Sequence, residues 1–295
     1  MSKGHDMQPS VEWALRPLAD MSSAEFRDWQ ALLEERSGMV VTEQRRLFLQ
    51  ANLTSRMREV GATDYSTYYQ QVTAGARGAV EWSTLMDRLT VQETRFFRHP
   101  PSFSLLSRYM QQRCGSRDIA MPWSLWSVGC ASGEETYSMA ITAAEVVQQA
   151  EGDAQQFGVI GTDISLSALS RSRDGHYSAG RLEQVDPDLR KRYFQAGPDD
   201  RLQVVPSLAA RVCFAKLNVL ELACAPMSNI DVIFCQNLLI YFRRWRRREI
   251  LNRLAERLAP GGLLVIGAGE VVGWQHPDLT PVADSLVLAF TRKCL

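Results

Sequence analysis

The densest run of chemistry-bearing residues is Gly129-Cys130-Ala131-Ser132-Gly133-Glu134-Glu135, which follows the apolar Leu125-Trp126-Ser127-Val128. An apolar run, a small-residue turn and then a helical pattern read as a buried strand feeding a tight loop at a helix N-terminus. Residues this small let a ligand lie against the backbone. Open N–H groups at a helix start suit a phosphate, but two neighbouring carboxylates would repel a pyrophosphate. They suit a ligand with positive charge and hydroxyls. S-adenosylmethionine, with its sulfonium, ammonium and ribose, is such a ligand.

The next chemical groups stand at the ends of further apolar runs. Phe157 to Thr162 is one, closed by Asp163, and an acid at the end of a second strand is where nucleotide-binding folds hold ribose hydroxyls. The loop fails the Gly-x-Gly-x-x-Gly pattern of NAD enzymes and lacks a P-loop lysine. Arg211 to Asn218 predicts a third strand and Ile230 to Asn237 a fourth. Ile250, Leu251, Leu254 and Leu258 predict a helix stopped by Pro260-Gly261-Gly262, before a fifth strand from Leu263 to Gly267. Ser285 to Phe290 predicts a closing strand. Strands alternating with helices imply a mostly parallel sheet covered on both faces. Its ligand then sits at the carboxyl ends of the strands, where Gly129 to Glu135, Asp163, Asn218 and Asn237 all fall.

The whole chain bounds the reading. It has 295 residues, with Lys plus Arg and Asp plus Glu both at 33. The balance gives no overall pull toward nucleic acid or an anionic membrane. No apolar run is long enough to span a bilayer, and residues 1–10 lack the apolar core of a signal peptide. The six cysteines form no Cys-x-x-Cys pair and the four histidines are scattered, so no metal site is expected and a reduced, cytoplasmic protein is. Residues 1–20 are expected to be flexible. Residues 21–90 read as a helical domain, its helices capped by Ser22 or Ser23, Thr42 and Asp64 and broken by Gly38 and Gly61. Residues 91–295 then form the α/β part.

Four segments resemble one family: Thr94-Arg95-Phe96-Phe97-Arg98, Gly133-Glu134-Glu135, Thr162-Asp163-Ile164 and Cys235-Gln236-Asn237-Leu238-Leu239-Ile240-Tyr241-Phe242. Their order and spacing are those of the CheR-type chemoreceptor glutamate O-methyltransferases. The Arg-rich stretch after Tyr241 is similar to the pilus-linked, PilK-like branch. The resemblance implies a class I, Rossmann-like S-adenosylmethionine-dependent methyltransferase fold with a helical N-terminal domain and a β-subdomain inserted at about 173–210. It implies methyl transfer to glutamates of chemoreceptor cytoplasmic helices, with S-adenosylhomocysteine as product, in chemosensory adaptation or twitching motility. It places Arg98 and Tyr241 at the catalytic centre. The cofactor shell it implies is Thr94, Arg98, Glu134, Asp163, Asn218, Val219, Gln236 and Asn237. Gln92 and Gln236 depart from the family's usual Asn and Arg, and Gly267-Ala268-Gly269-Glu270 from its usual Gly-His-Ser-Glu.

Two features bear on partners. The family uses a basic face of the second helix against acidic receptor helices, which here implies Arg45, Arg46, Arg56 and Arg58. Arg243, Arg244, Arg246, Arg247, Arg248, Arg253 and Arg257 form a second basic region, read first as a solvated helix face. The Gln195 to Asp200 turn is shorter than in relatives that grip a receptor's C-terminal pentapeptide, so no such tether is expected. The chain is expected to act as a monomer. Two other readings are a methyltransferase for RNA or a small molecule, and a non-catalytic adaptor that binds S-adenosylmethionine.

Overall fold

The computed structural model describes residues 19–114, 122–149 and 157–294; the flexible terminus expected at 1–20 lies almost wholly outside them. The helices are α1 (Ser23–Ser37), α2 (Arg46–Val60), α3 (Tyr65–Thr73), α4 (Gly75–Leu89), α5 (Pro100–Cys114), α6 (Glu134–Gln149), α7 (Leu166–Asp174), α8 (Pro187–Tyr193), α9 (Pro206–Ala209) and α10 (Arg244–Arg257). The strands are β1 (Trp123–Val128), β2 (Phe157–Asp163), β3 (His176–Tyr177), β4 (Phe194–Ala196), β5 (Leu202–Val204), β6 (Val212–Lys216), β7 (Ile230–Cys235), β8 (Leu258–Ile266), β9 (Leu279–Pro281) and β10 (Leu288–Arg292).

The helical part begins where its caps predict. Ser22 Oγ accepts from Glu25 N at 3.2 Å and Ser22 N donates to the Glu25 carboxylate at 2.8 Å. This reciprocal cap is worth about 1 kcal/mol. Asp64 caps α3 through Thr67 N, whereas Thr42 makes no side-chain cap bond. Phe26, Trp29, Leu33, Leu49, Leu53, Met57, Tyr68 and Leu85 fill the core between these helices. Leu47, which helical spacing assigns to the same core, is instead exposed.

The main sheet runs β6-β2-β1-β7-β8-β10-β9, with only the β10 pairings antiparallel. Unbroken apolar runs such as Val232 to Cys235 are buried on both faces because side chains alternate across a strand. Leu125, Val232, Phe234, Leu263 and Val265 pack with α5 and α6 on one side. Trp126, Val128, Ile233, Cys235, Leu264 and Ile266 pack with α10 on the other. Two boundaries differ from the sequence pattern. Pro260-Gly261-Gly262 does not stop α10, which ends at Arg257, but bulges inside β8: Ile230 pairs with Leu258 and Val232 with Leu263. The closing strand starts at Leu288, with Leu286 exposed in the loop before it, and β9 had no apolar run to announce it.

Between α7 and β6, the strands β3, β5 and β4 form a small antiparallel sheet. The helical part meets the α/β part at the carboxyl ends of the main strands. Val40 N donates to Tyr241 O at 2.8 Å, and Asn218 Nδ2 donates to Arg36 O at 2.8 Å. Ile164 and Tyr241 pack on the helical core.

Candidate functional site

Parallel strands that reverse order between β1 and β7 open a crevice at their carboxyl ends. Two adjoining cavities occupy it, sharing Val91, Gly129, Ala131, Asn237 and Tyr241. The first, about 100 Å³, is apolar, with walls of Met39, Met86, Ile164, Leu217, Val219 and Phe242. The second, about 230 Å³, is polar, with Glu93, Thr94, Arg95, Arg98, Glu135 and Gln236 in its walls. Asp163 lines the apolar cavity next to the shared loop residues.

Left-handed backbone occurs in and beside these walls. Ala131 (φ 48°) and Asn237 (φ 60°) hold left-handed conformations, as does Phe97 (φ 50°) beside Arg98. Such residues persist only where their surroundings over-determine them; Phe97 N, for example, donates to Ser138 Oγ at 3.0 Å. Gly129 (φ 75°) is needed both for its conformation and for space, because a Cβ there would stand 3.0 Å from Leu238.

Asp163 is held by Ala131 N on one oxygen and Ser165 N on the other, both at 2.9 Å. Burial pushes its pKa up, and these N–H groups oppose the push. Asn218 Oδ1 accepts from Leu220 N, so this side chain shapes its loop as well as lining the cavity. Gln236 Nε2 donates to Ser102 Oγ at 2.9 Å. Arg98 donates one N–H to Glu93 O at 2.7 Å. Burial keeps the Tyr241 phenol protonated, raising its pKa against the pull of Arg45 and Arg98.

Of the expected residues, the structure brings Thr94, Arg98, Asp163, Asn218, Val219, Gln236, Asn237 and Tyr241 to the two cavities. Glu134 lines neither. It is 1% exposed, and its carboxylate accepts from Ser132 Oγ at 2.7 Å and from Arg181 at 2.9 Å. Arg181 also donates to the Thr94 carbonyl, so Glu134 braces the wall from behind. Of the two adjacent acids it is Glu135 that stands in the polar wall, where its Oε1 accepts from Ser127 Oγ at 2.7 Å. Burial raises Glu135 to about 7, and the charge of Glu270 pushes the same way against Arg98. Glu270 is raised to about 7 by burial too, opposed by the Leu239 and Asn237 backbone N–H groups and by the charges of Arg247 and Arg98. The glycine of its Gly-Ala-Gly-Glu run is required for this packing, since a Cβ at Gly267 would lie 2.6 Å from Glu270 Cδ. Sequence reading took Glu134 and Glu135 together as suited to a positively charged ligand and gave Glu270 no role; nothing in the sequence says which of two adjacent acids turns inward.

The basic partner residues are mostly spent within the molecule. Arg56 pairs with Glu59 and Glu81, each at 2.8 Å, and Arg46 pairs with Glu43 at 3.0 Å. Arg45 lies over the Phe48 ring and Arg58 is exposed. Along α10, Arg243 pairs with Glu34, Arg246 with Glu249 and Arg253 with Glu256. Arg247 and Arg257 donate to backbone carbonyls. Among the described residues no helix is long and apolar enough to cross a membrane.

The crevice thus offers an apolar lobe, a buried carboxylate and a polar lobe that carries both acids and arginines. Residues 92–287 match the CheR methyltransferase SAM binding domain, and residues 24–90 match the CheR methyltransferase all-alpha domain. A chemotaxis protein methyltransferase of Salmonella typhimurium is 32% identical over 266 residues, covering 89% of each chain. One of Escherichia coli is 33% identical over 253 residues, covering 85% of each chain. A strand-end site built for S-adenosylmethionine, roofed by an all-helical domain and matched along nearly its whole length by such relatives, makes this chain a member of the CheR methyltransferase family.

Proposed function

We propose that the chain transfers the methyl group of S-adenosylmethionine to glutamate side chains on the cytoplasmic helices of a chemoreceptor. It would act as a monomer in the cytoplasm. The observation that carries this reading is the meeting of Arg98 and Tyr241 in one polar wall beside the cavity that Asp163 lines. Bound S-adenosylmethionine supplies an electrophilic methyl on a sulfonium. A glutamate is already ionised at neutral pH, so the chain needs no general base. Its work is alignment and exclusion of water.

Each residue has a part in that work. Arg98 presents a fork suited to a carboxylate, and the protonated Tyr241 donates a hydrogen bond to it. Asp163 accepts the ribose hydroxyls, while Val219 and the apolar wall receive the adenine. Thr94, Asn218, Gln236 and Asn237 complete the shell. Glu135, rather than the Glu134 that the resemblance places in the cofactor shell, faces the cationic end. The α10 arginines are largely used internally, so they do not favour pilus motility over chemotaxis.

The test is incubation of the chain with methyl-tritiated S-adenosylmethionine and receptor-bearing membranes. The expected product is a glutamate methyl ester, which base hydrolyses to release volatile tritiated methanol. Label in RNA or a small molecule, or cofactor binding with no transfer to any receptor, would overturn the proposal.

A further inference from the structure

We propose that Asp87, on α4 of the helical part, is a positioning residue for the cofactor site, holding the Asp163 loop through Ser165. This rests on the assignment of Asp163 to the cofactor. The Ser165 side chain is fully buried. Its hydroxyl donates to Asp87 Oδ1 at 2.6 Å and accepts from Gln92 Nε2 at 2.8 Å and from Ala168 N at 3.1 Å. A hydroxyl has one proton and two lone pairs. Both lone pairs are taken, and the proton points at Asp87, the nearer and charged acceptor at 2.6 Å, rather than at Ser167 Oγ at 3.3 Å.

The same Asp87 oxygen accepts from Ser167 N at 3.3 Å, which ties it to the first turn of α7. Ser165 N then donates to Asp163 Oδ1, and Asp163 Oδ2 accepts from Ala131 N. A continuous chain of directed bonds thus runs from α4 to the carboxylate and on to the glycine-rich loop. Gln92, fixed also by a bond from Arg171, braces it from the linker. Met86 and Thr90, near Asp87 in sequence, line the same cavity as Asp163. Without Asp87 the Ser165 hydroxyl is free to rotate, and both the α7 cap and the Asp163 loop loosen. The helical part therefore takes a share in the cofactor site through a residue that touches no cofactor.

The experiment is calorimetric titration of the full chain with S-adenosylhomocysteine, with melting curves of each ligand-free variant and steady-state methyl transfer. Asp87→Ala is expected to weaken binding about tenfold and to raise KM for S-adenosylmethionine with little change in kcat. Asp87→Asn keeps an oxygen that accepts both bonds, so it should restore affinity to within about threefold. Ser165→Ala should match Asp87→Ala, and the double variant should lose little more, because both break one chain. Glu81→Gln, which disturbs the Arg56 and Tyr68 contacts of the helical part, should lower the melting temperature without moving affinity. Wild-type affinity in both Asp87→Ala and Ser165→Ala, alongside lost binding in Asp163→Ala, would overturn the latch alone. Unchanged binding in Asp163→Ala would overturn the site assignment and the latch with it. Should Asp87→Ala fail to fold, Ser165→Ala and Asp87→Asn decide the matter.

Discussion

At the residue scale, the site turns on which groups are charged. Tyr241 is a phenol at any working pH, and its proposed task is to orient the incoming carboxylate. Tyr241→Phe is therefore expected to lower kcat by ten- to hundredfold, the worth of one hydrogen bond to a charged group. Affinity for S-adenosylhomocysteine should barely change. Equal losses in both measurements would move the hydroxyl into the cofactor shell. Glu135 and Glu270 are both raised to about 7, chiefly by burial, and the charge of Glu270 adds to the rise at Glu135. Their folded-state pKa values exceed the unfolded value near 4.5. The folded state then binds more protons than the unfolded one between about pH 4.5 and 7, and stability falls as pH rises through that window. Glu270→Gln removes part of that loss. It should stabilise the chain relative to wild type at pH 8 by roughly 1–3 kcal/mol and by little at pH 4.5. Chemical denaturation at both pH values checks this. An ionised pair also favours a cationic ligand, so affinity for S-adenosylmethionine should climb from pH 6 to 8 more steeply than affinity for the sulfur-neutral S-adenosylhomocysteine.

At the element scale, the inserted sheet poses the open question of tethering. Its β4–β5 turn is tight: Gly197 N donates to Arg201 O at 2.9 Å, and Arg201 N donates to Pro198 O at 3.1 Å. A groove lies beside edge strand β4, lined by Val185, Phe194 and Leu202 with Arg190 and Lys191. We propose that, with so short a turn, the insertion does not hold a receptor's C-terminal pentapeptide. Titration of that peptide should give no heat, and receptor truncated by the peptide should be methylated as fast as the intact one. Binding that Arg190→Glu abolishes would show instead that the groove takes the peptide by strand addition.

At the scale of the whole molecule, one cavity is built by two parts. Met39 and Met86 come from the helical part, while Asp163, Asn218 and Asn237 come from the sheet ends. A ligand there binds only when both are folded and seated. Calorimetry is expected to show one melting transition that S-adenosylhomocysteine moves upward as a unit, by about 2.7 kcal/mol at a hundredfold excess over Kd. A helical part that melts separately and unshifted would contradict the shared cavity.

The sequence alone determined what local pattern and strand order can carry. Apolar runs marked six of the seven strands of the main sheet, and Asp163, Asn218 and Asn237 stood out because strand ends are where such folds bind ligands. The helix caps at Ser22 and Asp64 were legible because capping is a contact between residues three apart. Tertiary structure decided what depends on distant partners. It turned Glu135 into the cavity and set Glu134 behind it against Arg181, a choice made by helix phase and by a residue from the insertion. It absorbed Arg56 into the Glu81 and Tyr68 contacts, since a charge pattern cannot show which acids fold back upon it. It hid Pro260-Gly261-Gly262 in a bulge whose need arises only from pairing β8 with β7. It also joined Asp87 to Ser165, 78 positions apart, where a directed hydrogen bond leaves no trace in the periodicity of either segment.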